Sequence, residues 1–69
     1  MNMRIKELRE DSDLTQEDIA LILSCSQRAY SHYEKGDRSI PIESLIKLAD
    51  YYKVSLDYIV GRSNNKKLD

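Results

Sequence analysis

The sequence predicts an all-α fold of five short helices, the second and third joined as a helix-turn-helix. Three observations carry that expectation. Apolar residues recur at helical spacing, and nowhere do apolar and polar residues alternate as in a half-buried strand. Capping residues punctuate the pattern, with Thr15, Ser26 and Ser55 ahead of helical runs and Gly36 and Gly61 behind them. Between two of those runs stand only Ser24-Cys25-Ser26, room for a tight turn and nothing more.

The chain has 69 residues, enough for one small domain and too few for two. With 41% hydrophobic and 33% charged residues its composition is that of a soluble globular domain, without repeats or low-complexity stretches. No apolar run approaches the ~18 residues of a membrane span. Charge from Arg4 onward argues against a secretory leader. One cysteine cannot form an internal disulfide, which suits a reducing cytoplasm, and one cysteine with one histidine falls short of a structural zinc site. No metal or cofactor is expected.

The net charge is −1, whereas a nucleic-acid reader usually carries a basic footprint. The acid load is upstream: residues 1–25 hold three basic and six acidic side chains, while 26–40 and 41–69 each sum to +1.

Residues 3–11 are expected to form the first helix, with Ile5 and Leu8 inward and Arg4, Lys6, Glu7 and Glu10 outward. Asp11-Ser12-Asp13 is a turn of residues that bond their own backbone, after which Leu14 re-enters the core. Thr15 opens the second helix, residues 16–23, and Asp18 three positions later completes a capping-box pattern. Ile19, Ala20 and Leu23 face inward, flanked by Ile22. Ala20 is the small residue expected where two helices cross closely. Leu21 projects beside Glu17 and Asp18, either as an isolated exposed leucine or as part of a contact surface.

Cys25 is expected to fill the core beneath the turn. Ser26 then caps a third helix that ends at Gly36. At about 100° per residue, Gln27, Arg28, Ser31, His32 and Lys35 share one arc, and Ala29, Tyr30 and Tyr33 the opposite one. Such a helix has an apolar back and a front of hydrogen-bonding tips. Glutamine and arginine are the side chains that bond adenine and guanine edges in two-point fashion. A Gln/Arg/His face is also ordinary helix surface, and it is the preceding short helix and turn that favour duplex reading.

Residues 37–40 form a loop, and Pro41 suits the first turn of a fourth helix running to Tyr52. Ile42, Leu45, Ile46, Leu48, Ala49 and Tyr52 cover an inward arc of about 160°. Lys53 and Val54 end it, Ser55 caps a short fifth helix over residues 56–60, and Gly61 stops that one. Residues 63–69 are polar and expected to be mobile.

In this order and spacing, I-K-E-L-R-E (5–10), L-T-Q-E-D-I-A (14–20), S-Q-R-A-Y-S-H-Y-E-K-G (26–36) and S-L-I-K-L-A-D-Y-Y-K-V-S-L-D-Y-I-V-G (44–61) resemble the Cro/repressor-like helix-turn-helix family, also called the xenobiotic-response-element family. The resemblance covers residues 3–62. It implies a lambda-repressor-like DNA-binding domain over 1–62 with a flexible polar tail at 63–69. It also implies a sequence-specific transcriptional regulator, a repressor, that inserts the third helix into the major groove of double-stranded DNA. Gln27, Arg28 and His32 would face base edges. Gln16, Ser26, Ser31, Lys35 and Arg38 would hold the DNA backbone, Gln16 also bracing the third helix. Arg9 and Glu34 would form a structural ion pair. Two departures stand out: Ser24 occupies a turn position where the family favours glycine, and the family's proline after the third helix falls one residue late, at Pro41 rather than Ile40.

An enzyme is not expected, since no nucleophile–base–acid set, phosphate-cradling glycine loop or metal-ligand spacing is present. The competing expectation is a protein-interaction module of the same fold, an antitoxin or small adaptor, supported by the acidic balance and by Leu21, Tyr51 and Tyr58 as exposed apolar residues. A lone domain would read a short, ambiguous site, so a homodimer on a pseudo-palindromic operator is expected, with half-sites ~34 Å apart. Its interface is expected around the fifth helix, Tyr58, Val60 and the tail. No membrane association is expected.

Overall fold

The structure, a computed structural model, describes residues 3–65, which fold into five helices: α1 (Ile5–Asp11), α2 (Gln16–Leu23), α3 (Gln27–Lys35), α4 (Ile42–Tyr52) and α5 (Leu56–Ile59). No strand occurs among the described residues. The local chemistry of the ends explains these boundaries. Thr15 Oγ1 accepts from the Asp18 amide at 3.1 Å and Asp18 Oδ2 accepts from the Thr15 amide at 2.9 Å, closing a reciprocal cap on α2. Ser26 and Ser55 accept from the Ala29 and Tyr58 amides, each at 3.0 Å. Such caps contribute about 1 kcal/mol apiece. Three helices stop at a left-handed residue: α2 at Ser24 (φ 58°), α3 at Gly36 (φ 83°) and α4 at Lys53 (φ 57°). Pro41 precedes α4 as its N-cap instead of entering the first turn; its carbonyl accepts from the Ser44 and Leu45 amides.

α2 packs on α3 and α4, and α5 packs on α4. Tyr30 is the largest side chain fully enclosed by this arrangement, joined in complete burial by Ile5, Ile19, Leu48 and Ile59. Its ring ties the back of α3 to the core; an aromatic of this kind removes ~150–250 Å² from water. Ala20 is buried between neighbours, as a close crossing demands. Ile40 and Val54 are also buried, although both lie in connections between helices.

The packing corrects several expectations. Ile42 and Ile46 are 57% and 44% exposed, so α4 is apolar over a wider arc than its neighbours cover; Leu45, Leu48 and Ala49 supply its buried face, with Tyr52 half-buried. Tyr33 and Cys25 pack against the core but are only half-buried. Tyr58 is buried, not exposed. Arg4 covers it, the guanidinium carbon lying 4.2 Å from the ring centroid. Arg4 therefore does not point outward from α1. It is the N-cap, its amide donating to the Ile59 carbonyl at 2.8 Å, and its side chain reaches across to residues 63 and 64. Arg4 Nη1 donates to the Ser63 carbonyl at 2.8 Å and Nη2 to Asn64 Oδ1 at 2.7 Å, while Ser55 Oγ donates to the Asn65 carbonyl at 3.2 Å. Of the stretch expected to be mobile, 63–65 carry these bonds and 66–69 lie outside the described residues.

Candidate nucleic-acid interface

Two short capped helices separated by a three-residue turn fix the relation between the first turns of α2 and α3. Gln16 stands at the start of one and Gln27 at the start of the other. Their carboxamides meet: Gln27 Nε2 donates to Gln16 Oε1 at 2.6 Å. Gln16 Nε2 in turn donates to Glu34 Oε1 at 3.0 Å, and Glu34 receives Arg9 through Nε on Oε2 at 2.7 Å and Nη2 on Oε1 at 3.2 Å. Arg9 Nη1 completes the line with a 2.9 Å bond to the Leu14 carbonyl. An ionised carboxylate can only accept, so Gln16 must turn its amine toward Glu34 and its carbonyl toward Gln27. Gln27 must then donate to Gln16, and its carbonyl oxygen and second amide hydrogen remain uncommitted by that bond. This chain of bonds orients the exposed tip of α3 from its buried end.

The electrostatics keep the chain ionised at its root. Burial alone would push the Glu34 carboxyl up, but the hydrogen bonds from Arg9 and Gln16, with the Tyr30 hydroxyl nearby, outweigh it and hold the group below the usual carboxylate range. The bond to Glu34 raises Arg9 despite its own desolvation. Burial first, then the adjacent Glu34, drives the Tyr30 phenol above its ordinary value, and burial pushes Tyr52 up to about 12. Neither phenol oxygen has a partner at hydrogen-bond geometry among the described residues; Tyr30 lies beside Glu34 without meeting it squarely.

The remaining candidate residues divide by exposure. Gln27, Arg28 and Lys35 are exposed on α3 and Arg38 is exposed in the connection after it, while Ser31 and His32 are half-buried on α3. Lys35 and Arg38 line one recess of about 430 Å³ together with Met3, Tyr33, Glu34, Gly36, Ser39 and Ile40. Ser26 spends an oxygen lone pair on its cap and keeps its hydroxyl hydrogen to donate. His32 has a neighbour the sequence did not suggest, its Nδ1 standing 3.4 Å from Asp37 Oδ2. The links of Gln16 to both Gln27 and Glu34 are likewise unforeseen in this detail; the signal for them was the unspent acceptor capacity of a carboxylate already paired with one arginine.

No group of three or more His, Cys, Asp or Glu side chains is placed to hold a metal among the described residues, and none of the described helices is long and apolar enough to cross a membrane.

A family model described as helix-turn-helix matches residues 5–59. The HTH-type transcriptional regulator ImmR of Bacillus subtilis is 33% identical over 67 residues, an alignment spanning 97% of this chain and 53% of that protein. The cryptic phage CTXphi transcriptional repressor RstR of Vibrio cholerae is 37% identical over 60 residues, spanning 87% of this chain and 54% of that one. The crystal structure of a transcriptional regulator from Listeria innocua superposes with a TM-score of 0.82 at 30% identity, covering 96% of this chain and 62% of its own. The chain thus spans a little over half the length of these two curated relatives.

Proposed function

The chain belongs to the helix-turn-helix family, and on that premise we propose that it is a sequence-specific double-stranded DNA-binding transcriptional regulator, acting as a repressor, that lays α3 in the major groove. The observation that carries this reading is the hydrogen-bonded line Gln27–Gln16–Glu34–Arg9, which fixes an exposed amide at the first turn of α3 before any duplex arrives. A preset amide is a tool for recognition, since it meets adenine's paired donor and acceptor without a search of rotamers. Gln27, Arg28 and His32 read base edges. Gln16, Ser26, Ser31, Lys35 and Arg38 hold the phosphate backbone, and Arg9 with Glu34 is structural. The role is binding, not catalysis, and is exercised in the cytoplasm.

The regulator works as a homodimer on a pseudo-palindromic operator with half-sites ~34 Å apart. Tyr58 is withdrawn from the interface expected for it, because Arg4 covers its ring; exposed Leu56 and half-buried Val60 are the apolar residues left accessible at the fifth helix. Sedimentation at micromolar protein tests this, and a species of monomer mass would count against it. Selection of bound sequences from a random DNA pool tests the function itself: one recurrent motif with inverted symmetry is the expected result, and an unenriched pool rejects the reading.

A second reading, a protein-interaction module such as an antitoxin or adaptor, is favoured by Leu21, 75% exposed, and by the uncovered Ile42, Ile46 and Tyr51. Salt separates the two. Duplex affinity falls steeply as ions are added, whereas an apolar interface is almost indifferent to them.

A further inference from the structure

We propose that Asp37 is a positioning residue that keeps the proton of the neutral His32 ring on Nδ1, so that Nε2 meets the duplex as an acceptor and selects a base that presents an exocyclic amine in the major groove, adenine or cytosine. The inference deepens the reading of α3 as the duplex-reading helix and rests on it. His32 Nδ1 lies 3.4 Å from Asp37 Oδ2, across the end of the helix. A carboxylate has nothing to donate, so a hydrogen bond between them requires the hydrogen on Nδ1, and in the neutral ring Nε2 is left as acceptor. In the major groove adenine N6 and cytosine N4 are donors, whereas guanine offers only O6 and N7 acceptors.

The turn builds this neighbourhood. Gly36 takes φ 83°, and the amides of both Gly36 and Asp37 donate to the His32 carbonyl at 3.1 Å. That closure reverses the chain and returns residue 37 to the level of residue 32, which a continuing helix would not do. An acid at this place repels phosphate, and its pairing with the imidazole gives it a use there. Asp37 is exposed, so its replacement is expected to leave the fold standing.

The test has two arms on the whole chain, with D37N beside the wild type and circular dichroism confirming that both fold. Long-range ¹⁵N–¹H correlation at pH 8.5, without DNA, reads the ring. The wild type is expected to show the Nδ1–H form, and D37N, whose amide both donates and accepts, is expected to shift toward Nε2–H. Selection from a random duplex pool reads the consequence: adenine or cytosine enriched about five-fold or more at one position by the wild type, with that preference flattened or moved to guanine by D37N. An Nε2–H ring in the wild type, or the same base chosen by both proteins, overturns the role of Asp37. A pool left unenriched by the wild type overturns the duplex reading instead, and the DNA-free arm tells the two failures apart.

Discussion

Arg9 and Glu34 form a two-point pair, Nε to Oε2 at 2.7 Å and Nη2 to Oε1 at 3.2 Å, that joins α1 to α3 with side chains only 13% and 3% exposed. Enclosed this far, the pair holds the domain together mainly through what its rupture would leave behind. Arg9→Met strands a buried carboxylate and is expected to cost about 3 kcal/mol or more. Urea titration checks this; a midpoint within error of the wild type would mean that solvent reaches the carboxylate readily.

The same pair contributes to the pH dependence of the fold on the acid side. Glu34 titrates below its unfolded value when folded, so the unfolded chain takes up the proton first. Its contribution is complete above about pH 4.3, the ordinary glutamate value, and is lost as pH falls through the lower folded value. Melting temperatures from pH 6 to pH 2 are expected to fall less steeply in Glu34→Gln than in the wild type, from a lower starting point. Parallel curves would contradict the depressed titration.

Ser24 and Gly36 both adopt left-handed backbone, and only one of them is glycine. A non-glycine residue there carries roughly 1–2 kcal/mol of strain, partly offset by its stiffer unfolded chain. Ser24→Gly is expected to raise stability by about 1 kcal/mol. Gly36→Ala is expected to lower it by a similar amount, for backbone reasons alone, since an added Cβ meets nothing within 4 Å. Thermal melts with opposite signs at the two positions check the pair of predictions.

Tyr30, not Tyr33, anchors the back of α3. Tyr30→Ala is expected to cost ~3–5 kcal/mol and Tyr33→Ala clearly less. Tyr52→Phe removes a buried hydroxyl that lacks a partner among the described residues, and stability is expected to hold or rise by up to about 1 kcal/mol. A Tyr33→Ala variant that melts below Tyr30→Ala would invert this ranking.

At the interface, Gln27→Ala or Arg28→Ala is expected to cost ~1–3 kcal/mol at particular base pairs and relax preference there. Lys35→Ala is expected to weaken every sequence alike and lower the salt slope by about one. Fluorescence anisotropy against matched and mismatched duplexes over a salt series measures both. A change of preference in Lys35→Ala with none in Gln27→Ala would reverse the roles.

What the sequence disclosed follows the range of the interactions involved. Thr15, Ser26 and Ser55 could be read as caps because a cap is settled within four residues. The five-helix all-α fold followed from those caps and from helical spacing. Longer-range facts were hidden. Tyr58 looked exposed until Arg4, 54 positions earlier, came to lie across it. Ile42 and Ile46 belong to the apolar arc of α4, but a helical wheel does not record how much of an arc its neighbours cover. Ile40 and Val54 enter the core from linkers, where no periodicity marks them. At the candidate site, Arg9 with Glu34 was reached through family resemblance and not through spacing. Asp37 beside His32 required knowing how the chain doubles back at Gly36.

The contact between Gln16 and Gln27 bears on how such domains can be re-engineered. The amide at the tip of α3 takes its bearing from a partner on α2, which is itself steered by Glu34 and Arg9. On the proposed reading of α3, grafting that helix alone onto a foreign scaffold would transfer the letters of the code without the hand that points them. A faithful transplant of the proposed reading face moves all four side chains, which are spread over three helices.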